Sequence, residues 1–154
     1  MLSEEERRDI EREAPNYATR KALCIDALRI VQGHRGYVSD QALQEVADYL
    51  GLPLSHVEGV ATFYNLIFRH PVGARVILVC DSVSCWIMGC ERLLDRLRAH
   101  LETDVGGTSP DGRYTLLTAP CLGACDFAPV LMIGETLHRD VTAETLPDLL
   151  GKGG

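Results

Sequence analysis

Cysteine is the residue type in this sequence with the clearest capacity for chemistry. Five of the six cysteines fall in two short segments, CDSVSCWIMGC and PCLGAC. The first segment holds Cys80, Cys85 and Cys90, and the second holds Cys121 and Cys125. In a reducing compartment, clustered cysteines are more often metal ligands or redox thiols than structural disulfides. A four-sulfur metal site therefore has five candidate ligands, one more than it needs.

Helix geometry predicts which cysteine is left over. WIMGCERLLDRLRAHL is predicted to be one amphipathic helix beginning near Cys85, and five helical residues turn the chain by about 500°, so Cys85 and Cys90 would point roughly 140° apart. The apolar stripe of this helix consists of Ile87, Cys90, Leu94, Leu97 and Leu101. We therefore predict that Cys90 packs as a small hydrophobic residue, as does Cys24 in an earlier helix. The remaining candidate ligands are Cys80, Cys85, Cys121 and Cys125.

The spacing of these four, C-x4-C and C-x3-C, leaves the metal open. Zinc sites favour C-x2-C, with up to about four intervening residues allowed, whereas a C-x4-C arm is found in plant-type [2Fe–2S] ligation. Spacing alone thus favours a two-iron cluster, with zinc and a disulfide as alternatives. A thiol–disulfide oxidoreductase would need C-x-x-C, which is missing.

Residues around the cysteines support thiolate chemistry. Ser82 or Ser84 is expected to cap the helix, whose positive dipole end favours thiolate over thiol. Gly123 allows the second loop to curl so that backbone amides can approach a sulfur. Pro120 is expected to end the strand that precedes this loop.

The elements that must position these cysteines change character along the chain. The first seventy or so residues predict three helices. The first ends at Gly33 or Gly36, and the second runs from an N-cap at Ser39 to Gly51. The third begins near Ser55, which has the spacing of a capping box with Glu58. They would form a small bundle. The N-terminal SEEERRDIERE is predicted to be a solvated helix face or a frayed arm, with a contact to another subunit as the alternative.

After RHPVGA the sequence alternates strands with helices. RVILVC, RYTLLTA and VLMIG predict strands, ETLH extends the last one as a hairpin, and TAETLPDLLGK predicts a short helix capped by Thr142. This order is typical of an α/β arrangement of thioredoxin-like type. We therefore predict an N-terminal helical segment, 1–72, and a thioredoxin-like α/β domain, 73–154.

Charge and composition exclude several classes of function. A net charge of −7 argues against a nucleic-acid binder. No apolar run approaches the ~18 residues of a membrane span, and the charged N-terminus, unlike a secretory signal, predicts a cytoplasmic protein. None of the histidines is spaced as a metal ligand with another histidine or with a cysteine.

Two long segments carry a family resemblance. ATFYNLIFRHPVGARVILVCDSVSCWIMGC and SPDGRYTLLTAPCLGACDFAPVLMIGETLHRDVTAETLPDLL closely resemble the thioredoxin-like [2Fe–2S] ferredoxins that form the E subunit of bacterial respiratory NADH:quinone oxidoreductase (complex I). The likeness runs from Ala18 to about Leu150, and C-x4-C…C-L-G-x-C is a specific signature. It implies that one [2Fe–2S] cluster is held by Cys80, Cys85, Cys121 and Cys125.

The resemblance also implies a role. The expected partner is the subunit that binds FMN and NADH, in the peripheral arm of a membrane-bound complex, and the cluster would exchange electrons with FMN. The chain would then be an electron-carrying oxidoreductase subunit without substrate catalysis of its own. Alternatives are the equivalent subunit of an NAD-linked formate dehydrogenase or hydrogenase, and a structural zinc-binding interaction module. Phe63 and Tyr64 are expected either in the core or against the cluster or partner.

Overall fold

The chain divides into two units, each with its own hydrophobic core, in the computed structural model, which describes residues 1–151. The first unit spans Met1–Pro71 and the second begins at Val72. Helices fill the first unit, and a four-stranded sheet with helices forms the second, which confirms the predicted α/β class with a helical N-terminal segment. That each unit is a separate domain stays a prediction, and residues 152–154 of the predicted second domain lie outside the described residues. Over residues 1–151, no helix is both long and apolar enough to cross a membrane.

The helices of the first unit pack their apolar faces into one core. They are α1 (Glu4–Glu13), α2 (Cys24–Arg35), α3 (Asp40–Leu50) and α4 (Leu54–Phe63). As predicted, Ser39 caps α3 by accepting a hydrogen bond from the Ala42 amide at 3.1 Å. Gly51 ends the same helix in the left-handed conformation that glycine adopts without strain.

For the charged N-terminal segment, the predicted helix with a largely solvated face is confirmed, and the alternative of a frayed arm is wrong. The segment forms α1, where Ser3 and Glu6 make a reciprocal capping box and Ile10 is fully buried. The predicted capping box of the third helix is wrong. Helix α4 has no side-chain cap, because Pro53 supplies its extended entry and Leu54 is already helical. Ser55 therefore lies inside the helix and cannot cap it.

Phe63 and Tyr64 are not core residues. Their rings meet edge to face at 5.1 Å, yet Phe63 is 79% exposed and Tyr64 is 44% exposed. The alternative that places them in the core is therefore wrong, and they remain available for a contact outside the unit.

A buried ion pair joins α1 to α2 and α3. The Arg35 guanidinium donates to both carboxylate oxygens of Glu6, at 2.6 and 2.8 Å, and to Glu45 Oε2 at 2.7 Å. Hydrogen bonding from Arg35 lowers the pKa of Glu6 against the opposing effect of burial, and bonds from Ser3 lower it further. The Glu6 side chain is only 3% exposed, so its charge depends on this partner.

Arg35→Met is therefore expected to destabilise the first unit by about 2–3 kcal/mol, less than a fully buried pair would cost, because the guanidinium is partly exposed. The pKa of Glu6 is lowered below 4.5 in the folded protein, so its stabilisation is complete above that pH and is lost as the pH falls through the lower, folded value. The difference between wild type and variant should shrink over the same acid range.

Urea unfolding followed by far-ultraviolet circular dichroism at several pH values measures this difference. Arg29→Met is the matched control, because Arg29 is 67% exposed and makes only an i,i+3 pair with Asp26. Equal stability of the two variants would contradict a structural role for the Arg35 network.

The second unit is built on a mixed four-stranded sheet. Its strands are β1 (Arg75–Cys80), β2 (Tyr114–Ala119), β3 (Leu131–Ile133) and β4 (Thr136–His138), in the order β2-β1-β3-β4. β1 and β2 are parallel, and the β1–β3 and β3–β4 pairs are antiparallel. All four predicted strands are present, including the β3–β4 hairpin, and Pro120 follows the end of β2 as predicted.

The predicted amphipathic helix after β1 is two helices. The first is α5 (Val83–Ile87), with Met88 as its C-cap. The second is α6 (Cys90–Leu101), which follows Gly89. The φ of Gly89 is +99°, a left-handed value that favours glycine. The leucines of α6 pack on the sheet, whereas Ile87, predicted in the same stripe, is 69% exposed.

The last helix of the described chain begins later than predicted. It is α7 (Leu146–Gly151), and Leu146 and Leu150 are its buried residues. Thr142 does not cap α7. Its side chain and that of Thr145 instead each accept a hydrogen bond from the other's backbone amide, which closes a turn before the helix.

Candidate metal centre

The two cysteine segments leave the sheet at the same edge. Cys80 is the last residue of β1, and it lies in register with Ala119, the last residue of β2. Because the two strands are parallel, their carboxyl ends lie side by side. The Asp81 amide donates to the Ala119 carbonyl at 3.0 Å, which extends the pairing one residue beyond β1. The chain thus brings the segments 80–85 and 121–125 to one place from positions far apart in sequence.

The four predicted ligands form two pairs. The thiols of Cys80 and Cys85 lie close enough to shift each other's pKa, and both residues are buried. The Cys121 thiol lies close enough to raise the pKa of Cys125, but both of these residues are exposed. One pair therefore belongs to the interior of the unit and the other to its surface.

This paired arrangement bears on the choice of metal. Within the described part of the chain, no three Cys, His, Asp or Glu side chains are grouped so that they could hold one metal ion. A structural zinc ion needs four donors around one point, whereas in a [2Fe–2S] cluster four cysteines are shared between two irons. Two cysteine pairs are what a two-iron cluster needs, with one pair for each iron. Ligation by these four residues stays a prediction.

Cys90 is buried, as predicted, but for a different reason. It is the first residue of α6 and packs with Cys80, Cys85, Ala128 and Val130, away from the leucine cluster. The argument from a continuous helix is wrong, because Gly89 breaks the helix between Cys85 and Cys90. The second prediction of this kind is confirmed, since Cys24 is buried in the core of the first unit.

Hydrogen bonds favour the thiolate of Cys80. Burial acts to raise its pKa, but hydrogen bonds from the side chain and backbone of Ser82 and from the Leu122 amide bring the pKa below its ordinary value. The Cys80 Sγ and Ser82 Oγ atoms lie 3.3 Å apart. Ser82 stands at the N-cap of α5, as predicted, yet its hydroxyl makes no capping bond to the helix.

Cys85 and Cys125 resist ionisation in the absence of a cation. Burial raises the pKa of Cys85, and the hydrogen bond and charge of Cys121 raise the pKa of Cys125. Two neighbouring thiolates repel each other, and bound metal cations would remove that repulsion. As predicted, Gly123 adopts a left-handed φ of +73°, and its amide donates to Cys121 Sγ at 3.3 Å.

An exposed apolar surface beside the cysteines was missed by the sequence analysis. We call it the α5 apolar patch, and its members are Val83, Trp86, Ile87 and Met88. Trp86 is 58% exposed and follows the fully buried Cys85 directly. The signal available in the sequence was Gly89, since a break there removes Ile87 and Met88 from the buried stripe.

The chain is similar to a family of known proteins over most of its length. A family model for the thioredoxin-like [2Fe–2S] ferredoxins matches residues 10–153. The E subunit of the NADH-quinone oxidoreductase of Pseudomonas aeruginosa is 48% identical over 150 residues, which cover 97% of this chain and 90% of that protein. The protein of the same name from Escherichia coli (strain K12) is 50% identical over 149 residues, which cover 97% of this chain and 90% of the relative.

A solved structure supports the fold. The crystal structure of an NAD⁺-reducing [NiFe]-hydrogenase in the air-oxidised state matches with a TM-score of 0.69 at 26% identity, covering 81% of this chain. The match covers only 22% of the hydrogenase chain, so it concerns a small part of that protein.

Proposed function

Because this chain belongs to the family of thioredoxin-like [2Fe–2S] ferredoxins, we propose that it is the electron-transfer subunit in the NADH-oxidising module of a respiratory NADH:quinone oxidoreductase. The observation that carries the proposal is the pair of cysteine pairs at adjacent carboxyl ends of β1 and β2, in a chain about half identical to NADH-quinone oxidoreductase relatives over nearly its full length. The chain is a subunit of an oxidoreductase and has no substrate chemistry of its own.

The ligands in this proposal are the two cysteine pairs, Cys80 with Cys85 and Cys121 with Cys125. The cluster, when bound, accepts and returns one electron. The residues of this chain hold it at the sheet edge, exclude water from the Cys80–Cys85 side and direct hydrogen-bond donors at the sulfurs. The exposed pair, Cys121 and Cys125, keeps the other side of the site close to the surface.

We propose that the partner is the subunit that binds FMN and NADH, and that it docks on the α5 apolar patch. An electron-transfer partner must approach the cluster closely, and this patch is carried by the same short helix as Cys85. Exposed contiguous apolar side chains are unusual on an isolated surface, and aromatic residues and methionine are enriched at interfaces. The proposed location is the cytoplasmic, peripheral arm of the membrane-bound complex.

The alternatives have less support. The [NiFe]-hydrogenase likeness is real, but its 26% identity is well below the 48–50% identity to the two bacterial NADH-quinone oxidoreductase relatives. A structural zinc module is not favoured by the family model that matches the chain, which is that of [2Fe–2S] proteins.

Purified protein is expected to be red-brown, to contain about two irons and two sulfides per chain, and to become paramagnetic after one-electron reduction. Co-expressed with an FMN-containing partner subunit, it should co-purify with that subunit, and NADH should reduce the cluster only in the complex. Elemental analysis and electron paramagnetic resonance provide the measurements. A colourless protein with one zinc per chain would exclude the proposal.

A further inference from the structure

One serine hydroxyl lies against a cysteine sulfur of the buried pair. Ser82 Oγ is 3.3 Å from Cys80 Sγ. Ser82 is partly buried, in the turn that joins β1 to α5.

The Ser82 hydroxyl is not engaged in its usual local role. A serine at an N-cap normally accepts a hydrogen bond from an amide in the first turn of the helix, as Ser39 does in α3 at 3.1 Å. Ser82 has the extended backbone of an N-cap, but its side chain makes no such bond and contacts Cys80 instead. The hydroxyl is therefore available to the sulfur.

The direction of this hydrogen bond follows from the state of the sulfur. A free thiol can donate to the hydroxyl, but a metal-bound thiolate has no proton and can only accept. Ser82 then donates its O–H to the Cys80 sulfur. Reduction adds one negative charge to the centre, and a donor to sulfur stabilises the more negative state more strongly.

We propose that Ser82 is a positioning residue that raises the reduction potential of the [2Fe–2S] cluster by donating one hydroxyl hydrogen bond to the sulfur of Cys80. The inference rests on the proposed function only in that the four cysteines hold such a cluster. No proton leaves the serine, because the hydroxyl changes only how well the added electron is stabilised.

The test is a redox titration of the cluster-loaded full chain, followed by electron paramagnetic resonance. Ser82→Ala is expected to lower the midpoint potential, with iron and sulfide contents unchanged. Ser82→Thr keeps the hydroxyl and should restore a potential near that of wild type. Ser55→Ala is the control, since Ser55 is exposed in the first unit and should leave the potential unchanged.

Three results would overturn the inference: an unchanged potential in Ser82→Ala, failure of threonine to restore the potential, or loss of the cluster from Ser82→Ala. The last result contradicts it because a donor that only sets the potential leaves the ligands in place. Wild-type protein that binds no iron would instead reject the proposed function, so the two failures are distinguishable.

Discussion

Cys85→Ser is expected to abolish or severely disrupt the cluster, whereas Cys90→Ala should keep the full iron and sulfide content. Cys85 is fully buried and paired with Cys80, so no solvent-exposed group can replace its sulfur. A serine oxygen is a harder and shorter donor than a thiolate, and iron–sulfur clusters are held by thiolates. Loss of this ligand should leave the neighbouring sulfurs without a bound cluster.

Cys90→Ala is the matched control for this result. Cys90 is of the same residue type, is 2% exposed, and packs against the same two cysteines. Its replacement should cost on the order of 1 kcal/mol of stability through the small cavity it leaves. Iron and sulfide analysis with visible absorption decides the matter. A colourless Cys90→Ala protein beside a fully loaded Cys85→Ser protein would assign the ligand role to Cys90.

Trp86→Glu is expected to prevent association with the FMN-containing subunit while leaving the cluster intact. The side chain is 58% exposed, so a carboxylate there stays solvated in the free subunit and costs little. In the complex the charge would have to be buried against an apolar surface, which is strongly unfavourable. Large aromatic residues at the centre of an interface often contribute about 2 kcal/mol or more, so affinity should fall by about 30-fold or more.

Co-purification and the rate of cluster reduction by NADH in the complex measure this effect. Ala99→Glu, on an exposed part of α6, introduces the same charge outside the α5 apolar patch and should not weaken binding. Trp86→Leu, which keeps the site apolar, should bind more weakly than wild type but better than Trp86→Glu. Undiminished binding by Trp86→Glu would show that the partner docks elsewhere.

The sequence predicted the elements whose signal is local. The strands are short runs of branched and apolar residues with turn residues at their ends, and Pro120 and Gly123 act through their own backbone preferences. The helical-face argument narrowed the candidate site to four residues, although its premise of one continuous helix is wrong, and the structure arranges these four as two pairs. The sequence could not predict that the two pairs lie near each other, because their proximity depends on the parallel register of β1 and β2.

Two features, the helix break at Gly89 and the contribution of α1 to the core, were not predicted, because the local sequence pattern does not reveal them. The apolar period continues across Gly89, from Ile87 to Cys90 and Leu94, and so hides the break that the positive φ creates. In α1 the fully buried Ile10 stands in a highly charged run, so hydrophobic periodicity was weak. Glu6 of α1 is held by Arg35 of α2. A contact between residues so far apart in sequence leaves no local pattern.

The parallel pairing of β1 with β2 also gives the bound cluster a topological role. Cys80 and Cys121 leave neighbouring strand ends but are separated in sequence by the whole crossover connection, which contains α5 and α6. Iron bound to both segments is a cross-link that closes a loop of about forty residues, and chain-entropy reasoning for disulfides puts such a closure at on the order of 4 kcal/mol. The cluster would therefore also act as a cross-link that restricts the unfolded chain. The second unit should then unfold more readily when its iron is lost.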